Sequence, residues 1–287
     1  MATSQGARVI WPAEAIWEAV SPDLPGFTVE ILPELDSTNA ELMRRARAGQ
    51  MEPSLLVAER QTAGRGRLGR VWLDGAGAGE GSGAAGQSLK FSLGLPLQRT
   101  DWSGLSLAVG VAVTESLLHA ANKPLSVAGL GLKLGLKWPN DLWLDECKLG
   151  GILIETFGQV VPRYVVIGIG INIVPPLPTA DVSFSTPPAG LHTLWPSADA
   201  GQALLWITPA LIAAVQQFDV DGFTPFQARF NALDVLRDAA VHLSDGSSGI
   251  ARGVDASGAL QVQTASGMQA VSSGEVSVRP VHMALPR

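Results

Sequence analysis

The sequence of 287 residues contains a single cysteine, Cys147. One thiol cannot form an internal disulfide, which excludes a disulfide-stabilised scaffold and makes a reducing cytoplasm the expected setting. The N-terminal residues lack a basic stretch followed by an apolar run, so no signal peptide is predicted. No apolar stretch looks long enough to cross a bilayer, and no membrane partner is expected.

Charged residues are also scarce, at 16% of the chain, and acidic residues outnumber basic ones by 26 to 20. The resulting net charge of −6 argues against a general nucleic-acid-binding protein. The hydrophobic fraction of 46% is typical of a globular chain with a sizeable core. The length allows one large domain, or one large and one small domain.

The order of the predicted elements favours an antiparallel or mixed sheet rather than a βαβ array. Four strands joined by short turns are predicted at 134–138, 141–144, 151–157 and 164–174. Before them, 36–47 is predicted to form a helix with Thr38 and Glu41 as a capping box. After them come a surface loop at 175–196 and two helices that begin at Thr208-Pro209 and Thr224-Pro225. From Leu236 onward, short strands and Gly-Ser turns predict a small β-barrel.

Three arginines (Arg65, Arg67 and Arg70) share a short glycine-containing loop that ends at Trp72. Like charges roughly 6 Å apart repel by about 3 kcal/mol at an effective dielectric of about 20, so the cluster predicts an anionic ligand. Glycines let backbone N–H groups approach that anion, and guanidinium groups match phosphate oxygens in pairs. The indole of Trp72 offers a flat face for a nucleobase.

Two other interpretations of this loop compete. It is either a solvated basic loop or, because Gly64, Gly66 and Gly69 spell G-x-G-x-x-G, a dinucleotide-binding turn. The second is rejected because residues 70–75 cannot open a helix. No acidic residue follows at the distance that a ribose-binding residue requires.

Further polar residues stand next to predicted strands. Residues 137–141 place Lys137, Asn140 and Asp141 on one turn, although Pro-Asn is also ordinary turn chemistry. Two glycines follow Lys148, leaving room for a ligand or for a second backbone. Asn172 ends an apolar strand, where an amide must be paired, so it either ties down a turn or reads an adenine edge. Residues 37–39 have helix capping as their alternative explanation.

Taken in order, five motifs resemble those of the bacterial biotin–protein ligases, or biotin–[acetyl-CoA-carboxylase] ligases. They are Asp-Ser-Thr-Asn at 36–39, Gln-Thr-Ala-Gly-Arg-Gly-Arg-Leu-Gly-Arg at 61–70, Lys-Trp-Pro-Asn-Asp at 137–141, Lys-Leu-Gly-Gly-Ile-Leu-Ile-Glu at 148–155 and Gly-Ile-Gly-Ile-Asn at 168–172. The resemblance implies an α+β fold in which a mixed β-sheet is backed by helices, as in lipoate ligases. It implies an N-terminal extension at 1–27, a catalytic domain at 28–235 and an SH3-like β-barrel at 236–287.

The same resemblance implies a reaction in two steps. Biotin and MgATP give biotinyl-5′-AMP and pyrophosphate, and the biotinyl group then passes to a lysine of the biotin carboxyl carrier protein. ATP and Mg²⁺ are then co-substrate and metal, with no tightly bound prosthetic group. A homodimer is compatible with the family. The DNA-binding domain of bifunctional members has no counterpart here, so neither a DNA partner nor a repressor role is expected.

Site roles follow from the motifs position by position. The resemblance implies catalytic roles for Arg67, Lys148 and Asp141, the last also as a candidate ligand for Mg²⁺ or acceptor of a proton. Biotin would be bound by Ser37, Thr38, Asn39, Gln61, Gly64, Arg65, Lys148 and Gly151. The nucleotide would be bound by Arg65, Arg67, Arg70, Trp72, Lys137, Asn140 and Asn172.

The sequence departs from the family pattern in places. Leu68 stands where many relatives have another arginine, and an insertion rich in glycine, alanine and serine occupies 75–86. Two other functions remain as alternatives. One is a lipoate–protein ligase, which shares the fold and the adenylate chemistry, and the other is a non-catalytic biotin or nucleotide sensor.

Overall fold

A large mixed sheet forms the centre of the computed structural model. The structure describes residues 9–72, 86–120, 126–127, 132–178, 184, 186–272 and 278–280. Its first eight strands are β1 (Thr28–Leu35), β2 (Ser54–Gln61), β3 (Ser88–Leu97), β4 (Ser126–Val127), β5 (Leu132–Lys137), β6 (Asp141–Leu144), β7 (Cys147–Phe157) and β8 (Arg163–Asn172). They lie in the order β1-β2-β3-β8-β7-β6-β5-β4. The β1–β2 pair is parallel and the other pairs are antiparallel, which confirms the mixed sheet.

Helices cover both faces of this sheet. They are α1 (Ala13–Val20), α2 (Thr38–Arg47), α3 (Leu105–Ala120), α4 (Ala200–Asp221) and α5 (Thr224–Leu233). On one face α3 and α4 pack over the sheet in the main hydrophobic core, and on the other α2 packs against Leu56, Tyr164 and Val166. Because β3 lies between both layers, even its polar residues Lys90 and Ser92 are buried.

The N-terminus of α2 differs from the predicted capping box. Ser37 is the N-cap, and its Oγ accepts a hydrogen bond from the Ala40 amide at 3.4 Å. Thr38 is the first residue inside the helix rather than its cap, and its amide and hydroxyl both donate to Gln61 Oε1. Glu41 does not reach back to the cap and instead pairs with arginines one turn further along α2. The predicted Thr38–Glu41 capping box was therefore wrong: the cap is Ser37, and the third helical residue is Ala40, which has no carboxylate.

Helix α4 begins eight residues before the predicted start at Thr208-Pro209 and runs through Pro209. Asp199 caps it by accepting from the Gln202 amide at 2.7 Å, and the Thr208 hydroxyl donates to Leu204 O at 2.8 Å. A proline inside a helix costs about 3 kcal/mol. Burying one leucine or isoleucine returns about 1.5 to 3 kcal/mol, and α4 buries several, so packing overrides the local signal.

The length of α4 also corrects an expectation about membranes. With 22 residues and a mean hydropathy of 1.4, α4 is long and apolar enough to span a bilayer by length and composition, which the sequence did not indicate. Half of its most apolar window is buried inside the protein, where α4 packs against α3. That burial is typical of a core helix.

The segment at 175–196 is not simply a surface loop, because Leu191 and Leu194 are buried in the core. The predicted insertion at 75–86 lies outside the described residues, apart from Gly86.

The C-terminal part forms a five-stranded antiparallel sheet, as expected for the SH3-like barrel. Its strands are β9 (Ala240–Leu243), β10 (Ser248–Val254), β11 (Leu260–Thr264), β12 (Gly267–Val271) and β13 (Val278–Pro280), in the order β12-β11-β10-β9-β13. The buried side chains of this barrel belong to the same hydrophobic cluster as those of α3 and α4. The domain boundaries after residues 27 and 235 stay predictions.

Candidate active site

A cavity of about 370 Å³ opens between the start of α2, the arginine loop and strands β5 to β8. It gathers nearly all the residues that the sequence singled out: Ser37, Thr38, Asn39, Gln61, Arg65, Arg67, Arg70, Trp72, Lys137, Asn140, Asp141, Lys148, Gly151 and Asn172. Gly64 is the exception and does not line the cavity. Its carbonyl accepts the Trp72 amide at 2.9 Å, and a Cβ there would lie 2.8 Å from Trp72 O.

The arginine loop is a tight turn, not the start of a helix. Arg65 and Val71 form an isolated antiparallel bridge, and the Gly66 amide donates to Arg70 O at 2.7 Å. Between them, residues Arg67–Gly69 make one 3₁₀ turn in which Leu68 and Gly69 both have positive φ. The rejection of the dinucleotide-binding interpretation is confirmed, because that motif requires a helix directly after the glycines.

One end of the cavity is a fixed polar network. Gln61 Oε1 accepts from the amide and the hydroxyl of Thr38, at 2.8 and 3.1 Å. Ser92 Oγ lies 2.7 Å from Thr38 Oγ1 and 2.6 Å from Asn39 Oδ1. Asn39 in turn donates to Glu155 Oε2 at 2.9 Å. Each polar side chain is oriented by the next, so this end is preorganised for a polar, uncharged group.

Sequence reasoning assigned no role to Ser92, which is fully buried on β3. The strand alternates polar and apolar residues (Ser88, Lys90 and Ser92 against Leu89, Phe91 and Leu93), so no local signal marked the Ser92 hydroxyl as buried. Lys90, two residues earlier, was missed in the same way. It is 3% exposed, lines the cavity and donates to Glu59 O at 2.7 Å.

Two glycines of β8 allow side chains to lie directly on the sheet. A Cβ at Gly168 would lie 2.1 Å from Asn39 Oδ1, and one at Gly170 would lie 2.7 Å from the Trp72 ring. Any larger residue would lift Asn39 or Trp72 away from the strand. The glycines of the 168–172 motif therefore set the depth of the cavity.

Cations dominate the other end of the cavity. The described lining of the whole cavity contains six cations (Arg65, Arg67, Arg70, Lys90, Lys137 and Lys148) and one carboxylate, that of Asp141. Burial lowers the pKa of Arg67; Asp141 opposes this shift and Arg70 adds to it. The guanidinium still stays protonated at neutral pH, because its pKa starts far above 7. Such an excess of positive charge is suited to an anionic ligand.

Asp141 and Lys148 form an ion pair in this region, with Oδ1 and Nζ 2.7 Å apart. The turn that carries Asp141 is held from several sides. Ser106 Oγ donates to Pro139 O at 3.0 Å, and Asn140 Nδ2 donates to Ile152 O at 2.8 Å. Arg67 Nη1 donates to Asn140 Oδ1 at 3.3 Å, so the turn and the arginine loop meet across the cavity.

Asn172 ties down a neighbouring segment, which confirms one of its two predicted roles. Its Nδ2 donates to Ala189 O at 3.0 Å and approaches Lys148 O at 3.5 Å. The same segment pairs with β7 through the Lys148 amide and Pro187 O, at 2.8 Å. The residues at 187–189 are thereby fixed along the wall of the cavity.

The residues of the cavity do not fit a metal ion held by protein ligands. Within the described ranges, no group of three or more His, Cys, Asp or Glu side chains could hold one. Asp141, the single carboxylate among the described residues that line the cavity, is already paired with Lys148. No metal-dependent step is derived from this arrangement.

Comparison with known proteins places these features in a class. Residues 32–172 match the Biotin/lipoate A/B protein ligase family, and residues 241–279 match the Biotin protein ligase C terminal domain. Fold and cavity thus define a ligase of the biotin and lipoate class with a C-terminal barrel.

Individual relatives of known name distinguish between the biotin and the lipoate ligases. The Bifunctional ligase/repressor BirA of Escherichia coli is 32% identical over 266 residues, which cover 89% of this chain and 75% of that protein. The Biotin--[acetyl-CoA-carboxylase] ligase of Paracoccus denitrificans is 31% identical, over 86% of this chain and 98% of its own. The structure of the Aquifex aeolicus biotin protein ligase in complex with biotin and ATP superimposes with a TM-score of 0.69 at 26% identity, covering 88% of this chain and 98% of that one. The chain belongs to the biotin protein ligase family, which confirms the resemblance seen in its motifs.

Proposed function

We propose that this protein activates biotin with ATP and transfers the biotinyl group to a lysine of the biotin carboxyl carrier protein of acetyl-CoA carboxylase. The observation that carries the proposal is one cavity with a neutral polar end and a strongly cationic end. Biotin has a polar uncharged ureido ring at one end and a carboxylate at the other. The cavity therefore matches its polarity from end to end, and the cationic end also accepts a phosphate.

In the first step a biotin carboxylate oxygen attacks the α-phosphorus of ATP, a P–O bond forms, and the bond to pyrophosphate breaks. Both reactants are anions, so fixed positive charge is the main requirement. Arg67 is assigned to the α-phosphate because it is half-buried at the cationic end. Lys148 is assigned to the carboxylate and the phosphate together, with Asp141 holding its ammonium group in place at 2.7 Å.

In the second step the lysine amine of the carrier attacks the acyl carbon, the acyl–oxygen bond breaks, and AMP leaves. The amine loses a proton, and Asp141 is the acceptor that we assign, since it is the carboxylate at this end of the cavity. An Asp141→Asn variant is expected to form adenylate more slowly, because Lys148 loses its counter-ion, and to lose most transfer activity. Transfer at the wild-type rate would remove Asp141 from this role.

At the polar end, Ser37, Thr38 and Gln61 are assigned to the ureido ring of biotin. Asn39 is assigned a supporting role, because its amide nitrogen donates to Glu155. Gly151 is assigned to the acyl chain because it lies beside the Lys148 ammonium group, 3.6 Å from where its Cβ would stand. Gly64 contributes through the backbone of the arginine loop, together with Arg65.

The nucleotide is assigned to the region around Trp72, whose ring packs against Gly170. Arg65 and Arg70 flank Arg67 on the same loop, and Lys137 and Asn140 face them from the turn at 137–141. Asn172 is assigned to the adenine edge through its Oδ1, because its nitrogen donates to Ala189 O. Magnesium would arrive bound to the phosphates of ATP, as Mg²⁺ prefers substrate phosphates and water to all-protein sites.

The decisive experiment is release of pyrophosphate from MgATP with biotin or lipoate, followed by addition of a carrier domain. Biotin-dependent release and a mass increase of one biotinyl group on the carrier are the expected results. Lipoate-dependent release would instead support the lipoate ligase alternative. Biotin binding without pyrophosphate release would identify a sensor. Cytoplasmic location and a homodimer belong to the same proposal, the second testable by light scattering.

A further inference from the structure

The C-terminal barrel contacts the active-site turn through Trp138, a residue without an assigned role above. Trp138 is fully buried, and its indole Nε1 donates to Gly258 O at 3.1 Å. Gly258 lies in the turn between β10 and β11. Trp138 stands between Lys137 and Asn140 in the chain, and both of these line the cavity. One hydrogen bond therefore connects the barrel to the centre of the 137–141 turn.

The acceptor in this hydrogen bond is itself firmly placed. Asp255 Oδ1 accepts from the amides of Ser257 and Ala259, at 2.8 and 3.1 Å, and the Gly258 amide donates to Asp255 O at 3.0 Å. Gly258 has φ +83°, and a Cβ there would lie 2.8 Å from the Cα of Gly104, just before α3. The β10–β11 turn is thus held by its own hydrogen bonds and packs against Gly104, so the Gly258 carbonyl has a defined position.

The strand that leads into Trp138 is held by the same part of the chain. The Val235 amide donates to Leu136 O at 2.9 Å, and Asp234 pairs with Leu136 as a parallel bridge. Gly135 permits this approach, because a Cβ there would lie 2.7 Å from Leu233 O. The end of β5 is therefore held by Asp234 and Val235, in the linker between α5 and β9, and by the β10–β11 turn.

We propose that Trp138 is a positioning residue through which the barrel sets the geometry of the active-site turn. The turn brings Asn140 to Arg67 and Asp141 to Lys148. A shift of about 1 Å at such groups can cost about a hundredfold in rate. The effect falls on the cationic end of the cavity, where Asp141 holds Lys148, because the polar end assigned to the ureido ring is built around Thr38, Gln61 and Ser92 rather than on this turn. The proposal rests on the proposed ligase function.

The first test compares Trp138→Phe with Trp17→Phe in biotin-dependent ATP–pyrophosphate exchange. Both substitutions remove an indole N–H bonded to a backbone carbonyl at 3.1 Å, but Trp17 donates to Phe27 O, away from the cavity. For Trp138→Phe we expect kcat/KM for ATP to fall about tenfold, the effect of one lost buried hydrogen bond, and KM for biotin to stay within about twofold. Trp17→Phe is expected to leave both constants unchanged. If Trp138→Phe only lowers Tm, or if both variants lose ATP activity equally, the proposal is overturned.

A second pair of variants tests the acceptor side. Gly258→Ala and Gly246→Ala place the same side chain at two barrel turns with φ +83° and +90°. Only the first meets a neighbour, since nothing lies within 4 Å of a Cβ at Gly246. Gly258→Ala is expected to reproduce the ATP defect and Gly246→Ala to lack it, which keeps the test valid if Trp138→Phe does not fold. A wild-type chain without exchange activity would refute the ligase function, whereas an active wild type with unaffected Gly258→Ala refutes only this inference.

Discussion

Replacing Arg67 with alanine tests the central chemical claim. The guanidinium is half-buried, donates to Asn140 Oδ1 at 3.3 Å and lies near the Lys148–Asp141 pair. Removing one preorganised donor from developing charge costs about 2.7 to 4 kcal/mol. Since 1.36 kcal/mol corresponds to a factor of ten, adenylate formation should slow about a hundredfold to a thousandfold. The rate of pyrophosphate release under single-turnover conditions measures this effect directly.

Two further variants separate charge from general disturbance. Arg67→Lys keeps the charge but loses the planar fork, so a loss between those of wild type and Arg67→Ala is expected. Arg60→Ala is the matched control, because Arg60 lies on the adjacent strand and forms an exposed pair with Glu34. An exposed pair contributes about 0 to 1 kcal/mol, so activity should be unchanged. Wild-type adenylate formation by Arg67→Ala would refute the assignment of the cationic end to the phosphate.

Three other predictions concern Ser92 at the polar end of the cavity, Gly170 beneath Trp72, and the buried carboxyl group of Asp234. Ser92→Ala should raise KM for biotin about tenfold with little change for ATP, because Thr38 and Asn39 lose a shared partner; equal effects on both substrates in steady-state kinetics would contradict this. Gly170→Ala should raise KM for ATP, because the Cβ would push Trp72 off β8, and an unchanged KM would show that Trp72 does not contact nucleotide. Burial raises the pKa of Asp234 to about 6 from 3.8. The folded state then binds the extra proton, so stability should fall by about 3 kcal/mol as pH rises from about 4 to 6. In Tm measurements across this range, Asp234→Asn should lack that decline, and a decline identical to that of wild type would contradict the assignment.

The sequence predicted well where structure follows from local chemistry. The functional motifs lie in turns, helix caps and strand ends, where the local backbone determines the direction of each side chain. They are the residues at 36–39, 61–72, 137–141 and 168–172. Their gathering into one cavity followed from the family resemblance, since strand order cannot be read from local patterns. The two glycines of 168–172 could not be explained from the sequence, because the side chains that require them, Asn39 and Trp72, come from distant parts of the chain.

Prediction failed where distant packing decided the outcome. Thr208-Pro209 has the chemistry of a helix start, but burial of α4 carries the helix through it. Thr38 has the spacing of a capping residue, but Ser37 is the cap, and Thr38 lies inside the helix and donates to Gln61 on β2. Ser92 and Lys90 were given no role, and both are buried by distant elements: Ser92 bonds Thr38 and Asn39 of α2, and Lys90 donates to Glu59 O on β2. Each error came from a contact more than 20 residues away in sequence or from burial that no local pattern encodes.

The shared hydrophobic cluster has a consequence for how this protein unfolds. Val241, Leu243, Val262 and Val278 of the barrel pack into the same cluster as the helices behind the large sheet. Separating the two parts would expose these side chains, at about 25 cal/mol for each Å² of apolar surface. We therefore expect the barrel and the rest of the chain to unfold together, whatever the predicted boundary near residue 235. In urea, fluorescence and circular dichroism should follow one common transition, and an excised barrel should not hold its native fold.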